Sequence, residues 1–157
     1  MSETHNYLLF RPRQRFCCLV VEVVHSAHIP RLSAVPKSVM VVDDDLQILG
    51  LVEHWLAKAG YEVVTSSHFE DARKYLAAHH VDALITDLRL GEYNGLQLAL
   101  RASQMEPKAA VLVMSAFDDV VSRRDAASCG GRFMLKPIER ESMLTELADA
   151  LLKAVAV

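Results

Sequence analysis

The sequence predicts an α/β fold, in which five strand–helix repeats wind a parallel sheet with helices on both faces. Three observations predict it. Five short apolar runs recur across about 120 residues, each followed by a stretch whose apolar positions recur at helical spacing. The first of them, Val39 to Val42, is continuous rather than alternating, as suits a strand buried on both faces. Four of them also end in residues able to do chemistry: Asp43-Asp44, Asp87, Ser115 and Lys136.

The first strand is Val39 to Val42, apolar and rich in β-branched residues. A helix follows, with Ile48, Val52, Trp55 and Ala59 along one stripe, Leu49 and Leu56 beside it, and Gln47, His54 and Lys58 on the other side. Asp45 is placed to cap it, where negative charge meets the positive end of the helix. Gly60 is placed to end it in the left-handed region. "YEVVTS" is the second strand. Ser67 and Glu70 then predict a capping box that opens a helix to about Ala78. "DALITD" is the third strand, "LRLGEYNG" is expected to be a loop, and Leu96 to Ser103 a helix. "AAVLVMSA" is the fourth strand, after which Asp118 is expected to cap a helix reaching Ser128. "RFMLKP" is the fifth strand. The last helix starts near Glu139, with Leu144, Leu147, Leu151 and Val155 on one face.

Residues 1–37 read differently. They hold five basic residues and two acidic ones, out of 17 and 20 in the chain, so the extension carries +3 and the remainder −6. The break predicts an N-terminal extension, poorly ordered, before a domain spanning 38–157. A short strand at "CCLVVEVV" is the other reading of that segment. The net charge of −3 argues against a general nucleic-acid binder. No apolar run is long enough to span a bilayer. The three cysteines, Cys17, Cys18 and Cys129, form neither a disulfide framework nor a metal-binding spacing, which predicts a reducing cytoplasm. Met105, Met114, Met134 and Met143 read as packing residues. His79-His80 closes a helix and lacks a third ligand for a metal.

In a parallel sheet the carboxyl ends of the strands share one edge, and that edge forms the binding crevice. The sequence therefore brings three carboxylates, a hydroxyl and an ammonium to one place. Clustered carboxylates call for a cation. Mg²⁺ is the natural partner, since it takes one or two carboxylates together with waters and a phosphate. The ammonium would offset part of the negative charge and pair with an incoming anion. A carboxylate can itself be the nucleophile, giving an acyl phosphate.

The pieces "VVDDD", "LITDLRLGEYNG", "VLVMSA" and "FMLKP" resemble, in order and spacing, the receiver domain of two-component response regulators. The resemblance covers residues 38–155. It implies a flavodoxin-like (βα)5 sheet of strand order 2-1-3-4-5. It implies that Asp87 is the phosphoacceptor. Asp44 and Asp87 would ligate Mg²⁺ directly, Asp43 largely through water, and the backbone carbonyl of Arg89 would be a further ligand. Ser115 would be the switch hydroxyl, Lys136 the paired lysine, and Phe133 the switch aromatic. The Lys136–Pro137 bond would be cis, and Gly95 would close the loop after Asp87. The implied partners are a sensor histidine kinase or histidine phosphotransfer protein and a downstream protein. Because the sequence stops soon after the fifth helix, the domain is expected to act alone, without direct DNA contact; monomer and dimer both stay open. The sequence departs from the family pattern at Leu90-Gly91, where Met-Pro is usual. It also has Ser115 in place of Thr, Phe133 in place of Tyr, and Cys129-Gly130 in place of Gly-Ala.

Two other readings are weighed against this one. Asp43 and Asp45 supply the D-x-D of a haloacid-dehalogenase-like Mg²⁺ phosphatase, but Gln47 stands where Thr or Val is needed. A receiver-fold interaction module without phosphorylation would usually have lost the acceptor, the acidic pair or the lysine, and all are present.

Overall fold

The computed structural model describes residues 36–155; the strand considered at "CCLVVEVV" and most of the extension lie outside them. The chain forms β1 (Ser38–Val42), α1 (Leu46–Lys58), β2 (Glu62–Ser66), α2 (Phe69–Ala78) and β3 (Ala83–Asp87). A small ladder of β4 (Arg89–Leu90) and β5 (Tyr93–Asn94) precedes α3 (Leu96–Ser103). Then come β6 (Ala110–Ser115), α4 (Val120–Ser128), β7 (Arg132–Leu135) and α5 (Arg140–Val155).

Five strands pair in parallel in the order β2-β1-β3-β6-β7. With the short ladder set aside, this is the doubly wound order 2-1-3-4-5 expected from the sequence. Alternate strand residues feed two cores, as the period of two requires. Val39, Val41, Ile85, Leu112 and Met114 pack with Leu49, Val52 and Leu56 of α1 and Met143 and Leu147 of α5. Met40, Val42, Leu84, Val111 and Val113 pack with Phe69, Ala72 and Leu76 of α2, with Leu98 and Ala102 of α3, and with Ala126 of α4. Every residue of β3 and β6 is buried, which explains why their sequences do not alternate.

Local chemistry sets the ends. Asp45 Oδ1 accepts from the N–H groups of Gln47 and Ile48, capping α1. Gly60, with φ +91°, ends that helix in a conformation that favours glycine. Ala59, expected on the apolar stripe, is exposed; the buried line is Leu49, Val52 and Leu56, and the chain turns away at Gly60.

The capping box does not form. The cap of α2 is His68, one residue later, and the Ser67 hydroxyl pairs with the His68 ring instead. Glu70 turns outward to Arg73. Asp118 is likewise not the cap of α4. Asp119 takes that role, accepting from the Ser122 N–H at 2.8 Å, while Asp118 pairs with Arg123. The expected loop after β3 contains the β4–β5 ladder, turned at Gly91, whose φ is +59°.

At the opposite, amino edge of the sheet, Asp82 ties β3 to β1. Its carboxylate accepts from Lys37 Nζ at 2.7 Å and from the Ser38 N–H at 2.8 Å. Burial pushes the Asp82 carboxyl up, but these donors outweigh it and hold it below its usual 3.8. A depressed folded value means the stabilisation is present above 3.8 and is lost as pH falls through the lower folded value. Asp82→Ala is expected to cost about 2 kcal/mol near neutral pH, the scale of hydrogen bonds to a charged group. Urea denaturation at pH 7 and pH 3 checks this: the gap between variant and wild type should shrink at the lower pH.

Candidate functional site at the carboxyl edge

The strand register builds the site. Val42 lies opposite Thr86, so the next residues, Asp43 and Asp87, are neighbours across β1 and β3. Asp87 lies opposite Met114, one residue before Ser115, and Ser115 lies opposite Leu135, one residue before Lys136. The ladder carries on past the strands through Leu88 N–H to the Met114 carbonyl and Lys136 N–H to the Ser115 carbonyl.

Lys136 Nζ stands between two carboxylates, 2.7 Å from Asp43 Oδ2 and 2.8 Å from Asp87 Oδ1. Asp43 is fully buried, and its other oxygen accepts from the Asp45 N–H at 3.0 Å. Asp87 Oδ2 accepts from the Arg89 N–H at 3.0 Å. Asp44 is exposed and accepts from the Gly91 N–H at 3.2 Å, which ties the β4–β5 turn to the end of β1. One oxygen from each of Asp43, Asp44 and Asp87 can be chosen so that all lie within 4.8 Å of one another.

The electrostatics are unbalanced. Burial raises the Asp43 carboxyl, the bonds from Lys136 and the Asp45 N–H lower it, the Asp87 charge raises it further, and the net shift is upward from 3.8. Burial lowers Lys136, but its two carboxylate partners outweigh that and raise it above 10.5. One ammonium thus holds its proton firmly and still does not stabilise the Asp43 anion fully. The cluster has room in its charge balance for a further cation.

Ser115 is buried at the same edge, but its hydroxyl is turned back on its own chain. It donates to the Phe117 carbonyl at 3.0 Å and accepts the Phe117 N–H at 3.1 Å. Phe133 is half-buried against the α2–α3–α4 core, one face covered by the Arg123 guanidinium. The Lys136–Pro137 bond is cis. Asp45 does not join the site, since its carboxylate is committed to the cap of α1. That leaves the D-x-D of a phosphatase without its second acid.

Gly95 begins α3 with its N–H on the Leu88 carbonyl, and a Cβ there would lie 1.9 Å from the Asp87 carbonyl oxygen. Two features escaped the sequence. The Arg89 guanidinium lies over the Phe117 ring, 4.6 Å from its centre, and Phe69 and Tyr93 stack at 4.5 Å. That second pair lines a cavity of about 510 Å³ beside Asp44. Neither contact has a local sequence signal, because each joins residues more than twenty positions apart.

Fold and site together define a doubly wound α/β protein with an acidic, lysine-bridged pocket at the carboxyl edge of its sheet. Residues 39–148 match the response regulator receiver domain, and the chain belongs to that family. It is 30% identical over 121 residues to the transcriptional regulatory protein GlrR of Escherichia coli, covering 76% of this chain and 27% of that protein. It is 29% identical to the DNA-binding transcriptional regulator NtrC of Azospirillum brasilense, covering 73% and 24%. The chain therefore spans about a quarter of the length of these relatives. Among solved structures, a CheY-like receiver domain protein from Methanospirillum hungatei superposes with a TM-score of 0.72 at 19% identity, covering 78% of this chain and 98% of that one. A Burkholderia pseudomallei response regulator, solved with a phosphorylated aspartic acid, calcium ion and citrate, has a TM-score of 0.67 at 26% identity, covering 76% and 71%. Family membership places the protein in phosphorylation-dependent signalling. No helix among the described residues is long and apolar enough to cross a membrane.

Proposed function

We propose that residues 38–157 form a receiver that takes a phosphoryl group onto Asp87 from a histidine of a sensor kinase or phosphotransfer protein, residues 1–37 being an extension. The observation that carries this is the Lys136 ammonium bridging Asp43 and Asp87 beside Asp44. An Asp87 carboxylate oxygen attacks phosphorus, the phosphorus–nitrogen bond of the donor breaks, and an acyl phosphate forms. Lys136 is placed to pair with a phosphoryl oxygen, and the Ser115 hydroxyl would reach the phosphoryl group once it leaves Phe117.

The donor set is all hard oxygen and carries excess negative charge, which fits Mg²⁺. Asp44 and Asp87 would hold it directly and Asp43 largely through water, as the resemblance to receivers implies; the Arg89 carbonyl would complete the protein ligands. Bound there, it would stabilise negative charge on the transferring group. The phosphorylated site then biases the surface of α4, β7 and α5 toward a downstream protein. The start of α4 suits such a surface, with Val120 82% and Val121 66% exposed.

Thermal unfolding with and without Mg²⁺ tests the site. At a Mg²⁺ concentration a hundredfold above its Kd, wild type should gain about 2.7 kcal/mol. Asp44→Asn, which keeps an acceptor for the Gly91 N–H, should gain little. Equal stabilisation of both proteins would contradict the ligand assignment. Steady hydrolysis of a chromogenic phosphate ester would favour a phosphatase instead.

A further inference from the structure

Phe133 has no hydroxyl, so packing alone sets where its ring lies. Its exposed face is covered by Arg123, whose guanidinium sits 4.8 Å from the ring centre. Arg123 is itself held from one side, its Nε donating to Asp118 Oδ1 at 2.6 Å. Asp118 belongs to the segment that leaves Ser115. In that segment the Ser115 hydroxyl is closed on the Phe117 backbone, and Phe117 is covered in turn by Arg89. A chain of direct contacts therefore runs from the site to the ring: Ser115, Phe117, Asp118, Arg123, Phe133.

For its hydroxyl to reach a phosphoryl group on Asp87, Ser115 must break both bonds to Phe117. That frees the Phe117 N–H and carbonyl, and so removes the tie that the hydroxyl makes to residues 116–118. Asp118 is one residue beyond Phe117, so a shift of that segment would carry its carboxylate relative to Arg123, which stands on α4. Without that carboxylate, only the attraction of the ring itself holds the guanidinium of a long side chain at the surface.

We propose that Arg123 is a positioning residue: held by Asp118, it keeps the Phe133 ring in its resting place and transmits movement of Ser115 to that ring and to α4. This rests on phosphorylation at Asp87. A guanidinium suits the role because it is planar and stacks on an aromatic face while its edge still donates to a carboxylate. The ion pair stays charged near neutral pH, since Arg123 holds the Asp118 carboxyl below its usual range. The device stabilises only the resting arrangement, so removing it shifts the population toward the switched one.

The test is titration of the full chain with beryllofluoride, a phosphoryl mimic, in saturating Mg²⁺, followed by ¹⁹F NMR. Arg123→Ala should tighten apparent binding about two- to fivefold, the ratio that an exposed cation–π contact corresponds to. Asp118→Asn should tighten it in the same direction, and the double variant should add little to Arg123→Ala. Arg123→Lys keeps the charge but not the planar group with its Nε donor to Asp118, and should restore only part of wild-type behaviour. In a Phe133→Leu background, Arg123→Ala should change nothing. Unchanged or weaker binding by Arg123→Ala, or the same tightening without the ring, would overturn the proposal. Wild type that binds no beryllofluoride would overturn the phosphorylation reading itself.

Discussion

Gly95→Ala is expected to destabilise the protein by about 3 kcal/mol, the upper range for forcing an extra carbon into a packed site. It is also expected to impair phosphorylation of Asp87. The backbone angles are not the reason, for Gly95 has φ −59° and ψ −18°, which any residue adopts. The reason is space. An added Cβ would meet the Asp87 carbonyl oxygen at 1.9 Å, Thr86 Oγ1 at 2.8 Å and the Asp87 carbonyl carbon at 3.1 Å. Two of these are backbone atoms of a strand buried along its whole length, so either β3 or the start of α3 must move. Both carry the site. Gly50 is the internal control: it lies on the exposed side of α1, and an added Cβ meets nothing within 4 Å. Gly50→Ala should be neutral or stabilising by up to about 1 kcal/mol. Urea denaturation midpoints of the two variants check the contrast.

Lys136→Met is the second large effect. Removing one partner of a buried ion pair leaves an uncompensated charge, which costs about 3 kcal/mol or more. Here it leaves two carboxylates, Asp43 fully buried and Asp87 nearly so, facing each other without the ammonium. The pH dependence has a definite sign. Asp43 already titrates above 3.8 in the folded protein, so its ionisation opposes folding, and that cost grows as pH rises from 3.8 to the folded value. Without Lys136 the folded value rises further. In wild type, the raised Lys136 contributes stability that is fully present below 10.5 and lost as pH climbs through its folded value. The deficit of Lys136→Met should therefore be largest near neutral pH and shrink at both extremes. Mg²⁺ should stabilise the variant more than wild type, because it meets a less compensated cluster. Stability curves from pH 3 to 11, with and without Mg²⁺, check both expectations.

Much of the fold was legible because its signals are local. Apolar runs that stop at a charged or hydroxyl residue marked the carboxyl ends of β1, β3 and β6, and the helical spacing of Leu96 to Ser103 matched α3 residue for residue. The convergence of Asp43, Asp44, Asp87, Ser115 and Lys136 followed from parallel pairing alone. Helix caps were less legible. Ser66, Ser67 and His68 all offer side chains near the start of α2, and Asp118 and Asp119 both precede α4, so neighbours compete for one role and the backbone decides. The β4–β5 ladder has two residues per strand, too few for any periodicity. Contacts between residues far apart in sequence, such as Arg89 with Phe117, Arg123 with Phe133 and Lys37 with Asp82, depend on how the elements pack and carry no local sequence signal. The hydroxyl of Ser115, by contrast, turns back on a residue only two positions away.

The most direct test of the account is intact-mass measurement after incubation with Mg²⁺ and a small acyl phosphate. Wild type should gain one phosphoryl group, the gain should disappear when Mg²⁺ is chelated, and Asp87→Asn should gain none. No gain by wild type, or an equal gain by Asp87→Asn, would contradict the claim that Asp87 is the phosphoacceptor.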